Sequence, residues 1–102
     1  MRLRYTLPAL ADLAAILDYL DGKSPQSAAK VKRRIQAIIN LLLRHPLIGT
    51  RTDDAAIRRV TTPPYPYLVF YEAIGDELII HAIRHAARDP SSMPGAGELE
   101  RP

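Results

Sequence analysis

Cysteine and tryptophan are absent from this 102-residue chain, and phenylalanine occurs only once. Without cysteine there are no disulfides and no thiolate metal sites, a usage that fits a reducing compartment. No run reaches the roughly 18 apolar residues that a bilayer span requires. The opening Met1-Arg2-Leu3-Arg4-Tyr5 lacks the apolar stretch of a secretory signal and reads as the start of a strand. These absences predict a cytoplasmic protein that does not engage a membrane. Also missing are a Gly-rich phosphate loop, a His pair at metal spacing on a helix and a serine in an elbow motif, so no cofactor and no metal is expected.

What is present suits one compact domain: 47% of the residues are hydrophobic, and the length is too short for two cores. The net charge of +3 conceals an asymmetry. Lys23 to Arg59 carries nine Lys or Arg against Asp53 and Asp54, whereas the first helical segment offers Asp12, Asp18 and Asp21. A basic surface attracts nucleic acid or an acidic protein; the plain structural reading is a helix face kept charged for solubility.

The apolar pattern predicts an α+β fold in the order βααβββ, a helical hairpin packed on one face of a mainly antiparallel sheet. Arg2 to Thr6 is a short strand with Leu3 and Tyr5 on one face. Pro8 opens a helix in which Leu13, Ile16, Leu17 and Leu20 line one side, and Gly22 supplies a stop. Ser24-Pro25 caps and starts a second helix, with Ala28, Val31, Ile35, Ile38 and Leu42 as its stripe and Lys30, Lys32, Arg33 and Arg34 turned away. Leu41 and Leu43 widen its apolar surface, Pro46 ends it, and Gly49 marks a loop. Strands follow at Ile57 to Thr62, Pro66 to Ala73 and Glu77 to Arg84. Pro63 and Pro64 lie in the first connection, and Gly75-Asp76 forms a two-residue hairpin turn in the second. The last strand is apolar on both faces, which predicts a central position. Residues 1–89 form the domain, and 90–102, rich in proline and glycine, read as a flexible tail.

Chemistry is expected where the last strand runs out. Arg84, His85 and Arg88 project there, and with Arg58, Arg59, Tyr65, Tyr67 and Tyr71 they compose a basic, aromatic rim if the three C-terminal strands are neighbours. Arginines grip phosphate or carboxylate, tyrosines stack on bases, and His85 exchanges protons near neutral pH. A minimal RNA-cleaving set is His85 with Arg84 and Arg88. The competing reading pairs Arg88 with Asp89 and makes Tyr67 and Tyr71 half-buried packing residues. His81 and His85, about 13 Å apart along a strand, are too distant to share a metal. His81, placed on one face with Ile79 and Ile83, is expected to be a satisfied, partly buried histidine.

In order along the chain, Ala11-Asp12-Leu13 with Ile16 and Tyr19, Ser24-Pro25 with Ala28, Leu42 with Pro46 and Gly49, Pro64-Tyr65 with Tyr67 and Tyr71, and Ile83 with His85, Arg88, Asp89 and Pro90 resemble the RelE/ParE toxin superfamily, ParE branch. The resemblance covers residues 2 to about 90. It implies a growth-arresting toxin of a type II toxin–antitoxin system, neutralised by a ParD-like antitoxin that folds as it binds and whose own DNA-binding part contacts the operator. Leu13, Leu17, Leu20, Arg34, Leu41 and Arg58 are the expected antitoxin contacts. The expected target contacts are Arg58, Arg59, Tyr67, Tyr71, Arg84, His85 and Arg88. ParE-like members poison DNA gyrase, whereas RelE-like members cleave mRNA on the ribosome. Every cation between Arg44 and Arg88 is arginine. The lysine-rich strand of the mRNA-cleaving relatives is therefore missing, which favours gyrase inhibition over cleavage and ranks a plain nucleic-acid binder last.

Overall fold

The computed structural model describes residues 1–87. Seven elements follow one another: β1 (Arg2–Tyr5), α1 (Leu7–Lys23), α2 (Pro25–Arg44), β2 (Thr50–Arg51), β3 (Arg58–Thr62), β4 (Tyr65–Ile74) and β5 (Glu77–His85). One five-stranded sheet runs β1-β5-β4-β3-β2, with β1 parallel to β5 and every other pair antiparallel. The expected βααβββ order holds, and β5 is central, flanked by β1 and β4. The two-residue strand β2 is an addition: a pairing this short carries no periodic signal.

Local chemistry sets the helix limits. The Thr6 hydroxyl accepts the Ala9 N–H at 3.2 Å, and Pro8 sits in the first turn, where its missing donor costs nothing. The same hydroxyl donates to the His81 carbonyl at 3.3 Å, while the Thr6 N–H reaches the Ile80 carbonyl at 3.0 Å. The cap thus also fastens α1 to the central strand. Gly22 does not stop the helix, which runs on to Lys23; Ser24 ends it, giving its N–H to the Leu20 carbonyl at 2.7 Å. Ser24 caps α2 as well, accepting the Ser27 N–H at 3.3 Å, so one residue separates the two helices.

Val31, Ile35, Ile38, Ile39 and Leu42 of α2 are buried against Tyr67, Val69 and Tyr71 of β4 and Leu78, Ile80 and Ile83 of β5, and Ala28 of α2 is buried as well. Each aliphatic side chain so buried contributes about 1.5–3 kcal/mol. From α1 and β1, Ala9 joins this core, and Tyr5, Leu13, Ile16 and Leu20 pack on it while half-buried. On the other sheet face Phe70 and Ala82 meet Ile57, which lies just before β3 rather than in it.

Two irregularities fix how side chains are aimed. Gly75, with φ of 56°, opens the two-residue turn between β4 and β5. Further along, the register slips: Phe70 pairs with Ala82 but Tyr71 with Ile80, leaving His81 as the extra residue of a bulge. Ile80 and Ile83, three apart, therefore both enter the helix-side core. Strict alternation, which put His81 on one face with Ile79 and Ile83, fails here; His81 instead meets Glu72, its Nε2 lying 2.9 Å from the carboxylate.

Candidate functional site

β1 ends at Tyr5, paired with Ile80, and leaves the remaining edge of β5 uncovered. Asp12, one and a half turns into α1, covers it. Its Oδ2 accepts the Ile83 N–H at 3.0 Å and its Oδ1 meets Arg84 at 3.2 Å. Beyond this tether the helix and strand diverge, opening a cleft of about 280 Å³. Asp12, Ala15, Ile16 and Tyr19 form its helical wall; Tyr67, Ile83, Arg84 and His85 form its sheet wall.

The cleft mixes an apolar floor with a few polar groups. His85 accepts the Ala87 N–H on Nδ1 at 3.1 Å, which places the proton of the neutral ring on Nε2. Its ring stands edge-on to Tyr67, centroids 5.5 Å apart at 86°. Arg84 Nε is buried and has no hydrogen-bond partner among the described residues. Tyr19, 58% exposed, lies at the rim with the Lys23 ammonium 5.1 Å from its ring centre.

The rim expected from the sequence is only partly assembled. Arg84, His85 and Tyr67 do meet in the cleft. Tyr71 does not reach the surface: it is fully buried, its hydroxyl donating to the Pro46 carbonyl at 2.7 Å and accepting the Gly49 N–H at 2.9 Å. Burial raises the Tyr71 pKa, an effect offset in part by the Gly49 bond and the Arg58 charge. Arg58 is committed to the same loop, donating to the carbonyls of Leu47 and Gly49 at 3.1 and 2.9 Å. Arg59, next along β3, pairs with Phe70 where Arg58 pairs with Tyr71, so the two arginines point to opposite sheet faces. A single surface gathering Arg58, Arg59, Tyr71 and Arg84 is thereby excluded. Arg88 and Asp89 lie outside the described residues, as does the tail.

The helical residues divide similarly. Leu13 and Leu20 face the core, Leu17 lines a groove along the hairpin with Asp18, Asp21 and Lys32, Leu41 is half-buried, and Arg34 Nε donates to the Pro63 carbonyl at 2.6 Å. The large apolar side chains exposed on α1 are Leu7, Leu10 and Tyr19, none of them in the expected contact set. Asp12 was also missed as a site residue. Its signal was present, an acidic residue beside the apolar stripe, but the strand it would meet was not.

Comparison with known proteins agrees with this architecture. A toxin of Caulobacter vibrioides called RelE2 is 37% identical over 84 residues, 82% of this chain and 93% of its own. A Sinorhizobium fredii protein, Y4kP, is 31% identical over 85 residues, 83% of this chain and 88% of its own. Among solved structures, one described as the chromosomal ParDE TA system from P. aeruginosa superimposes with a TM-score of 0.71 at 27% identity, covering 83% of this chain and 95% of that one. Residues 3–90 match the family described as the ParE toxin of the type II toxin–antitoxin system parDE. With that match spanning most of its length, the chain belongs to the ParE family of toxins of type II toxin–antitoxin systems.

Proposed function

We propose that this toxin inhibits DNA gyrase by binding it, and that a ParD-like antitoxin neutralises it by folding over the helical hairpin. The observation that carries the reading is the isolation of His85. RNA cleavage through the 2′-hydroxyl needs a base, a cation for the charge on phosphorus and an acid for the leaving oxygen. Among the described residues lining the cleft, His85 is the single histidine. Asp12 is occupied by Ile83 and Arg84, and Arg84 spends its charge on Asp12. His81 is engaged with Glu72. A binding surface has no such requirement: Tyr19, the cleft and the basic strand ends suffice to anchor a partner.

Supercoiling of relaxed plasmid by purified gyrase tests this. Added toxin is expected to block supercoiling, and antitoxin to restore it. Full supercoiling with toxin in excess would remove the gyrase reading.

One observation favours ribosome-dependent mRNA cleavage as a second reading: Arg84 and His85 share one cleft, with Nε2–H of the neutral imidazole able to donate a hydrogen bond. If that reading holds, His85→Ala slows cleavage in a translating extract by about a hundredfold. Intact transcripts with the unaltered toxin would exclude it.

For the antitoxin, an amphipathic acidic segment suits the exposed Leu7, Leu10 and Tyr19 of α1. The structural relative's description as a ParDE system supports such a partner.

A further inference from the structure

Helix α2 carries Lys30, Lys32, Arg33, Arg34 and Arg44 over its 20 residues and not one carboxylate. Lys30, Arg33 and Arg34 face Pro63, Pro64 and Tyr65 across an open groove of about 370 Å³, which shares no residue with the cleft between α1 and β5. None of these three cations pairs with a carboxylate among the described residues, although Arg2, Arg4 and Arg84 each do. Arg34 is held by its Nε bond to the Pro63 carbonyl, which orients the fork and leaves four N–H groups to donate.

We propose that this groove is a sequence-independent contact site for the phosphate backbone of duplex DNA. Lys30, Arg33 and Arg34 span about 6 Å of helix axis, a compact row within reach of neighbouring phosphates. The opposite wall decides the class of ligand. Pro63 and Pro64 have no N–H and the Pro63 carbonyl is already taken, so the wall offers little to the main chain of an acidic peptide. Tyr65 is half-buried and packs on the core, which leaves little ring face for an unpaired base to stack on. No amide side chain lines the groove to read base edges. Phosphate charge on a regular duplex is what three converging cations on a shallow surface are suited to hold. The site does not depend on gyrase being the toxin's target.

The test is fluorescence anisotropy of labelled 20-base-pair duplexes of unrelated sequence with the full-length chain, over a series of salt concentrations. Three neutralised phosphates give a slope of log K against log salt of about −2.7. The double variant Lys30→Ala/Arg33→Ala, both exposed positions, flattens this by about 1.8 and weakens binding to every duplex alike. The control Arg2→Ala/Arg4→Ala removes the same formal charge at β1 and leaves the slope unchanged. Circular dichroism confirms the fold of each variant. The proposal is overturned if the groove variant keeps the original slope, or if the β1 control flattens it equally. Poly-glutamate binding as tightly as duplex also overturns it. So does single-stranded dT20 binding more tightly than duplex and losing that affinity in Tyr65→Leu.

Discussion

Asp12 and Ile83 stand 71 positions apart, and a carboxylate oxygen of the first accepts the backbone N–H of the second at 3.0 Å. Side chains from α1 and its cap thereby continue the ladder that β1 begins: Thr6 serves the His81 carbonyl and Asp12 the Ile83 amide. The arrangement protects an edge of β5 that β1 is too short to cover, and it positions Arg84 at the mouth of the cleft.

Asp12→Ala strands the Ile83 N–H and releases Arg84, and is expected to cost about 2–3 kcal/mol. Asp12→Asn retains an acceptor for the amide and loses the ion pair and hydrogen bond to Arg84, costing about 1 kcal/mol. Urea unfolding at constant m distinguishes them; equal losses would assign the whole effect to the Arg84 pair.

The loop after α2 depends on an equally close fit. A Cβ at Gly49 would lie 2.5 Å from the Tyr71 hydroxyl and 2.9 Å from the Arg59 carbonyl. Gly49→Ala is expected to destabilise by about 1–3 kcal/mol through overpacking. Tyr71→Phe leaves the Gly49 N–H and Pro46 carbonyl without their partner, at about 1–3 kcal/mol. Because both changes strike one contact, the double variant should lose less than the summed singles; additive losses in thermal or urea unfolding would contradict a shared contact.

Alkali should unfold the protein through its tyrosines. Burial raises the pKa of Tyr71 and of Tyr5 above the ordinary 10.0. The folded state therefore holds its phenolic protons after the unfolded chain has begun to release them. This contribution is fully present below pH 10, and it declines as pH rises from there through the folded values. Unfolding midpoints measured across pH 8–12 should fall in that window, and Tyr71→Phe should fall less steeply. A flat profile would show that both phenols ionise in place.

The buried core of the described residues is complete by Ile83, and the family match ends at residue 90. A chain truncated after Pro90 is expected to keep the unfolding midpoint of the full-length protein. A lowered midpoint would assign the last twelve residues a part in stability.

Much of this was legible along the chain. Val31, Ile35, Ile38 and Leu42 announce the buried stripe of α2 by spacing alone, Ser24-Pro25 announces its start, and Gly75-Asp76 announces the hairpin. The family, too, was readable from ordered short motifs, most of whose described residues sit on these same regular elements. Tyr71 shows where such reading fails. As an aromatic alternating with Val69 it looked equally suited to core or surface; its ring joins the core under α2, and the loop from Pro46 to Gly49 bonds its hydroxyl.

What the sequence alone determined are features encoded within about four residues: helix periods, caps, the hairpin turn, the excess of cations on α2. Their physics is local, so neighbours in the chain suffice to specify them. The tertiary structure decided which of these features meet. The bulge at His81 shifts the alternation of β5 by one residue and brings Ile80 and Ile83 to the same core. The early end of β1 gives Asp12 an edge to cover. Each depends on pairing between segments far apart in sequence, where a one-residue change of register reverses the direction of every side chain that follows.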